Sequence, residues 1–174
     1  MRIYCVGYRS WSIAIYKYFL NNSKHTVRIC DKKKKFKISN VIKFKPDIIL
    51  FYGWSSKISS RLVNNYFCVM FHPSPLPKFR GGSPIQNQII NNVNQTKVTL
   101  FRMTNKIDDG PILVDKKVSL KGHINDIFKR FTDIGILLTK KILKGKFTPK
   151  QQKKIITSRY KRRKPSESEI TIKE

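Results

Sequence analysis

A histidine and an aspartate 36 residues apart are the two side chains in this sequence whose types and settings suit proton transfer. His72 ends the apolar run YFCVMFH, 66–72, and opens a loop rich in proline and glycine, PSPLPKFRGGSP. Asp108 sits in NKIDDGP, between the runs VTLFRM, 98–103, and ILVDKKVSL. An imidazole titrates near working pH and can carry a proton between reacting atoms, worth about 10²–10⁴-fold in rate. A carboxylate bonded to it fixes its tautomer and favours the imidazolium. Taken singly, a histidine at a strand end is more often a hydrogen-bonded structural residue. Pro73, Pro75 and Pro77 could merely stiffen a surface loop. Arg80, Gly81 and Gly82 read either as a turn or as a substrate-facing segment, since glycine permits close backbone approach. Asp109 reads as a turn residue beside the working Asp108.

The elements that must position these groups follow from the pattern of apolar residues. RIYCVG, 2–7, reads as a buried first strand with Gly7 as its exit turn. SWSIAIYKYFL, 10–20, puts Ile13, Tyr16, Phe19 and Leu20 on one helical face, with Ser10 as N-cap. HTVRIC, 25–30, is a second strand, and the basic run Lys32–Lys35 an exposed turn. Pro46 and Asp47 lead into DIILFYGW, the most apolar strand, and helix-like LVNN and the strand 66–72 continue the alternation. A helix follows over 84–92, starting on Pro84 as proline prefers, then the strand 98–103 and a strand over ILVDKKVSL. From 123 to 145, Ile124, Ile127, Phe128, Phe131, Ile134, Leu137, Leu138 and Leu143 form an amphipathic helix. Alternating strands and helices predict an α/β, Rossmann-like fold with a mostly parallel sheet and helices on both faces. His72, at a strand's C-terminal end, and Asp108, in a loop after a neighbouring strand, then lie where open α/β sheets place ligands. We expect a catalytic domain over 1–146 and a basic C-terminal arm or linker over 147–174, with no second domain.

Composition narrows the partners. The chain has 174 residues and a formal net charge of +27, which draws polyanions or phosphate-bearing substrates. A lysine coat from compositional drift explains much of it, because lysine, isoleucine and asparagine are over-used together. Lys32–Lys35, Lys153–Lys154 and Arg159–Lys164, with Tyr160 interleaved, are candidate phosphate contacts. Arg9 is a candidate salt-bridge partner for an anionic acceptor. Three cysteines, Cys5, Cys30 and Cys68, form no C-x-x-C pair and fall in apolar strands, which fits a reducing, cytoplasmic compartment. No leader peptide, membrane span or metal site is expected. GYRSW stands after the first strand in place of G-x-G-x-x-G, and no Walker A sequence exists, so neither a dinucleotide nor nucleotide hydrolysis is indicated.

HPSPLPKFRGGSPIQNQII, 72–90, with VTLFRMTNKIDDGPIL, 98–113, resembles the folate-dependent formyltransferase family, which includes methionyl-tRNA, glycinamide ribonucleotide and sugar-nucleotide formyltransferases. PDIILFYGWSSKIS and the arm SRYKRRKPSESEI extend the likeness over nearly the whole chain. The resemblance implies an N-formyltransferase that takes the formyl group of 10-formyltetrahydrofolate and passes it to a primary amine. It assigns catalysis to His72 and Asp108, and a rigid wall of the folate pocket to Ser74, Pro75, Leu76 and Pro77. It assigns backbone contacts with the pterin to Ser56, Ile58, Thr104, Asn105, Lys106 and Ile107. Arg9, Arg80 and Gly81 are the expected acceptor-side residues. The expected acceptor is an amine on a sugar nucleotide. Methionyl-tRNA is the alternative, and a catalytically impaired, basic nucleic-acid-binding relative a third. One position departs from the family pattern: Met70 stands where the family has an asparagine that donates to the formyl oxygen. Asn105 or a backbone N–H could substitute, or the chain could be a weakened member.

Overall fold

The computed structural model describes residues 1–153 and 159–168. A six-stranded sheet has the order β2-β1-β3-β4-β6-β7. Its strands are β1 (Arg2–Val6), β2 (Thr26–Cys30), β3 (Ile48–Phe51), β4 (Cys68–His72), β6 (Gln95–Arg102) and β7 (Ile112–Ser119). The first four run parallel, and β6 and β7 are antiparallel to their neighbours. The two-residue β5 (Arg80–Gly81) pairs with β8 (Arg159–Tyr160) in a separate small sheet.

The strand sequences dictate two covered faces. In β1, Ile3 and Cys5 enter one core while Tyr4 and Val6 enter the other; in β3, Ile48 and Leu50 oppose Ile49 and Phe51. A strand buried on both faces must be apolar at every position, as these are. Helices α1 (Ser10–Asn22), α4 (Pro84–Ile90) and α5 (Ile124–Leu143) cover the first face. Helices α2 (Ile38–Phe44) and α3 (Ser60–Asn65) cover the second. The α/β expectation therefore holds, with helices on both sides of a mostly parallel sheet.

Several local expectations shift. The buried stripe of α1 is Trp11, Ser12, Ile15, Tyr16 and Phe19, and Leu20 is half exposed. Two overlapping stripes at helical spacing share Tyr16 and Phe19, and packing against α5 selects the one carrying Trp11 and Ile15. There Gly135 lets α5 close on α1, because a Cβ at that position would lie 2.4 Å from Ile15 Cδ1. Arg9, not Ser10, is the N-cap residue of α1, and no side chain caps that helix. Helix α2 has no counterpart in the sequence reading, although Ile38, Val41 and Ile42 stand at helical spacing; it buries Val41 and Phe44. Strand β3 stops at Phe51, short of the expected Trp54; the Tyr52 N–H that follows is shared between the Val6 carbonyl at 3.2 Å and the Tyr16 hydroxyl at 2.7 Å. Among the described residues no helix is long and apolar enough to cross a membrane.

Beyond residue 147 the chain packs back on the body. Lys150 and Ile112 exchange both backbone hydrogen bonds at 2.8 Å, which extends the sheet edge beside β7. Tyr160 stacks on Phe79 with ring centroids 5.3 Å apart. Lys154, one of the candidate phosphate contacts, and the end of the expected arm from 169 onward lie outside the described residues.

Candidate active site

Three chain segments meet at the C-terminal end of β4. The strand delivers His72 there, opposite Thr99 of β6, and the imidazole is 5% exposed. The following loop folds back over it. Thr99 Oγ1 donates to the Ser74 carbonyl at 2.6 Å, Gln88 Nε2 to the Pro73 carbonyl at 2.7 Å, and Ser74 Oγ to the Lys78 carbonyl at 2.8 Å. So braced, the loop presents the Phe79 carbonyl to His72 Nε2 at 2.9 Å. A carbonyl only accepts, so Nε2 carries a hydrogen and Nδ1 is the nitrogen left to gain or lose a proton.

That Nδ1 faces Asp108 Oδ2 at 3.8 Å. The separation suits an ion pair and exceeds a direct hydrogen bond; catalytic contacts often tighten only when the reactant is bound. Asp108 sits in the left-handed region at φ 50°, and its Oδ2 also accepts the Gly81 N–H at 2.8 Å. Gly81 itself has φ 100°, open to glycine but costly for other residues, and that conformation aims its N–H at the carboxylate. Asp109 is more than a turn residue, because it pairs with Arg80 Nη2 at 2.7 Å.

Beside the pair opens a cleft of about 460 Å³. The loop after β3, the loop after β6 and the Gly81–Gly82 backbone form its walls, and Met70 and Phe101 are also in its lining. Of the residues singled out in the sequence, Ser56, Ile58, Thr104, Asn105, Lys106, Ile107, Asp108 and Gly81 line it. His72 is not in the lining; of the pair only Asp108 is, with His72 Nδ1 3.8 Å from its Oδ2.

Other expected site residues fall elsewhere. Ser74, Pro75, Leu76 and Pro77 are not in the cleft lining; Ser74 is fully buried and Leu76 nearly so, while Pro75 and Pro77 are partly exposed. Arg80 is turned to Asp109 and Gln152 and does not face the cleft. Arg9 lies over the Tyr8 ring at the start of α1, also outside the lining.

Sequence reading missed Trp54, Lys57 and Met103 in the lining, and the inward role of Tyr160 and Arg162 from the arm. Trp54 had a signal, as an aromatic ending the most apolar run. Its indole packs edge-on against Phe36 and Tyr8, and its Nε1 is buried with no partner. Tyr160 and Arg162 had none, because nothing local in a basic tail says which residue returns to the sheet. No group of three or more His, Cys, Asp or Glu converges among the described residues.

A mostly parallel sheet with a histidine–carboxylate pair at one end, beside an open cleft, defines an α/β domain with a candidate acid–base site. The chain belongs to the formyl transferase family, whose model matches residues 20–133. A curated relative, methionyl-tRNA formyltransferase of Lachnospira eligens, is 34% identical over 106 residues, covering 59% of this chain and 34% of the relative. The solved methionyl-tRNA formyltransferase from Clostridium thermocellum superposes with a TM-score of 0.90 at 32% identity, covering 99% of this chain and 77% of that one. WlaRD, a sugar 3N-formyl transferase solved in the presence of dTDP and 5-N-formyl-THF, shares the fold with a TM-score of 0.67 at 18% identity. That likeness covers 93% of this chain and 70% of that one. The chain spans 34–40% of the length of the first three curated relatives it matches.

Proposed function

We propose that this chain transfers a formyl group from 10-formyltetrahydrofolate to a primary amine, with His72 and Asp108 as the catalytic pair. The observation that carries the reading is the meeting of His72 Nδ1 and Asp108 Oδ2 at 3.8 Å beside a ligand-sized cleft. In this reading the amine nitrogen attacks the formyl carbon and forms a tetrahedral intermediate with O⁻ and N⁺. His72 Nδ1 takes a proton from that nitrogen and returns it to the folate nitrogen as the old C–N bond breaks. The Asp108 carboxylate stabilises the imidazolium in between. Backbone groups of the loops 54–58 and 103–107, which line the cleft, would hold the pterin.

The oxyanion needs a donor, and Met70 cannot provide one. Met70 is in the cleft lining together with Asn105, whose amide is the substitute we assign to the formyl oxygen. The acceptor is an amine on an anionic carrier, since Lys57, Lys106 and Arg162 line the same cleft. Similarity to methionyl-tRNA formyltransferases at 32–34% identity favours methionyl-tRNA over the sugar nucleotide expected from sequence. We assign residues 1–146 to folate binding and chemistry, and the basic segment from 147 to completing the cleft. Three buried, unpaired cysteines fit a cytoplasmic setting.

The test is isothermal titration with 5-formyltetrahydrofolate, followed by transfer of labelled formyl to methionyl-tRNA and to amino-sugar nucleotides. Micromolar folate binding and label on one acceptor are expected. A folded protein that binds no folate ends the enzyme reading and leaves a nucleic-acid-binding relative.

A further inference from the structure

Gln152 is absent from the cleft lining and lies beyond residues 20–133, which match the family. Its side chain nonetheless joins the two segments that hold the reacting pair. Nε2 donates to the Asp108 carbonyl at 3.0 Å and to the Gly110 carbonyl at 2.8 Å. Oε1 accepts from Arg80 Nη2 at 2.7 Å and from Arg80 Nε at 3.3 Å. Arg80 is held in turn by Asp109 at 2.7 Å, and the next N–H, that of Gly81, binds Asp108 Oδ2 at 2.8 Å. A closed circuit thus runs from Gln152 through Asp108, Gly81 and Arg80 back to Gln152.

The sheet edge puts Gln152 in reach. Lys150 exchanges two backbone hydrogen bonds with Ile112, immediately after the Asp108 loop, and Gln152 follows two residues on. Asp108 has φ 50°, a region aspartate tolerates better than most residues, and the two amide bonds to the Asp108 and Gly110 carbonyls select that conformation of the loop. Only an amide satisfies both sides of the position: a donor for two carbonyls and an acceptor for a guanidinium.

We propose that Gln152 is a positioning residue for formyl transfer, fixing the Asp108 carboxylate against the Gly81 N–H and within reach of His72 Nδ1. The segment beyond residue 147 thereby completes the active site. The inference rests on the reading of His72 and Asp108 as the reacting pair. Gln152→Ala removes both functions of the amide. Gln152→Glu keeps the size and the Arg80 partner, but turns an acceptor toward two carbonyl oxygens.

The experiment compares both variants in the full chain with Gln151→Ala, an exposed neighbour, as control. Amide hydrogen exchange at Gly81 should accelerate at least tenfold in both Gln152 variants, while the β4 and β6 amides exchange as in wild type. kcat should fall about 10–100-fold, the scale expected when a reacting group is misplaced by about 1 Å. KM for 10-formyltetrahydrofolate should stay within about twofold, because Gln152 does not touch the cleft. Unchanged Gly81 exchange, uniform acceleration across the sheet, or a wild-type kcat in Gln152→Glu would each overturn the inference. A wild-type protein without formyl transfer would sink the proposed reaction instead, and Gly81 exchange would still decide whether Gln152 holds Asp108.

Discussion

Replacing Asp108 by asparagine removes a charge and keeps the shape, which isolates the carboxylate's part in the chemistry. Asparagine retains an oxygen for the Gly81 N–H, now bonded at 2.8 Å, and tolerates the left-handed φ of 50°. The fold should therefore lose no more than about 0.5 kcal/mol, which for a chain of this length is a melting shift of about 1–2 °C. What disappears is the negative charge 3.8 Å from His72 Nδ1, and with it the stabilisation of the imidazolium formed midway. General acid–base catalysis is worth about 10²–10⁴-fold. At 1.36 kcal/mol per decade that is about 3–5 kcal/mol of barrier. kcat should accordingly fall at least 10²-fold in a steady-state assay with labelled formyl donor. Affinity for 5-formyltetrahydrofolate, measured by titration calorimetry, should stay within about threefold, because the pterin contacts are assigned to other residues. A folded Asp108→Asn variant that keeps more than a tenth of the wild-type kcat would refute the proton-transfer argument.

Because Asn105 is the donor assigned to the formyl oxygen, Asn105→Ala should lower the transfer rate by about 10²–10³-fold and Met70→Asn should leave it within about threefold, whereas a large gain in Met70→Asn would show that the oxyanion lacks a donor. Gly110→Ala should destabilise the chain by about 2 kcal/mol, lowering the melting temperature by about 4–8 °C, since its Cβ would lie 1.7 Å from the Arg102 carbonyl oxygen. An unshifted melt would show that the loop between β6 and β7 yields freely. Burial pushes the Cys68 thiol up to about 12, so iodoacetamide at pH 8 should leave it unlabelled in the native protein and label it in denaturant. The same shift sets a sign for alkaline stability. Above about pH 8.5 the unfolded chain loses this proton while the native chain keeps it. The unfolded state then binds fewer protons, and stability falls with rising pH up to about 12. Chemical denaturation from pH 8 to 10.5 should show that decline, and Cys68→Ala should make it shallower.

The site was readable in the sequence where function depends on residue type at fixed loci. His72 and Asp108 stand out because an imidazole and a carboxylate each follow an apolar run at a strand end. Residues 104–107, Ser56 and Ile58, which only the family resemblance pointed to, do line the cleft. Ser74–Pro77 read, from the family resemblance, as a rigid wall of the folate pocket. The burial of Ser74 depends on Thr99, which reaches its carbonyl from β6, as Gln88 of α4 reaches that of Pro73. Arg80 looked substrate-facing because a guanidinium beside two glycines has no local partner; its partners, Asp109 and Gln152, lie 29 and 72 residues away in the chain. Helix α2 was hidden because it is only seven residues long and flanked by lysines, too short for a periodic signal to emerge.

What the amino-acid order determined by itself is local: which segments are apolar on both faces, where turns interrupt them, and which reactive side chains stand at the ends. Hydrophobic periodicity and turn chemistry operate over a few residues, so they are written into the chain directly. The tertiary structure alone decided which strands are neighbours, and so that β6 joins β4 antiparallel and that the arm returns to Ile112 and Arg80. Those choices rest on hydrogen bonds between backbone groups that every residue carries. Such groups hold no mark of their partner until the folded sheet brings them face to face.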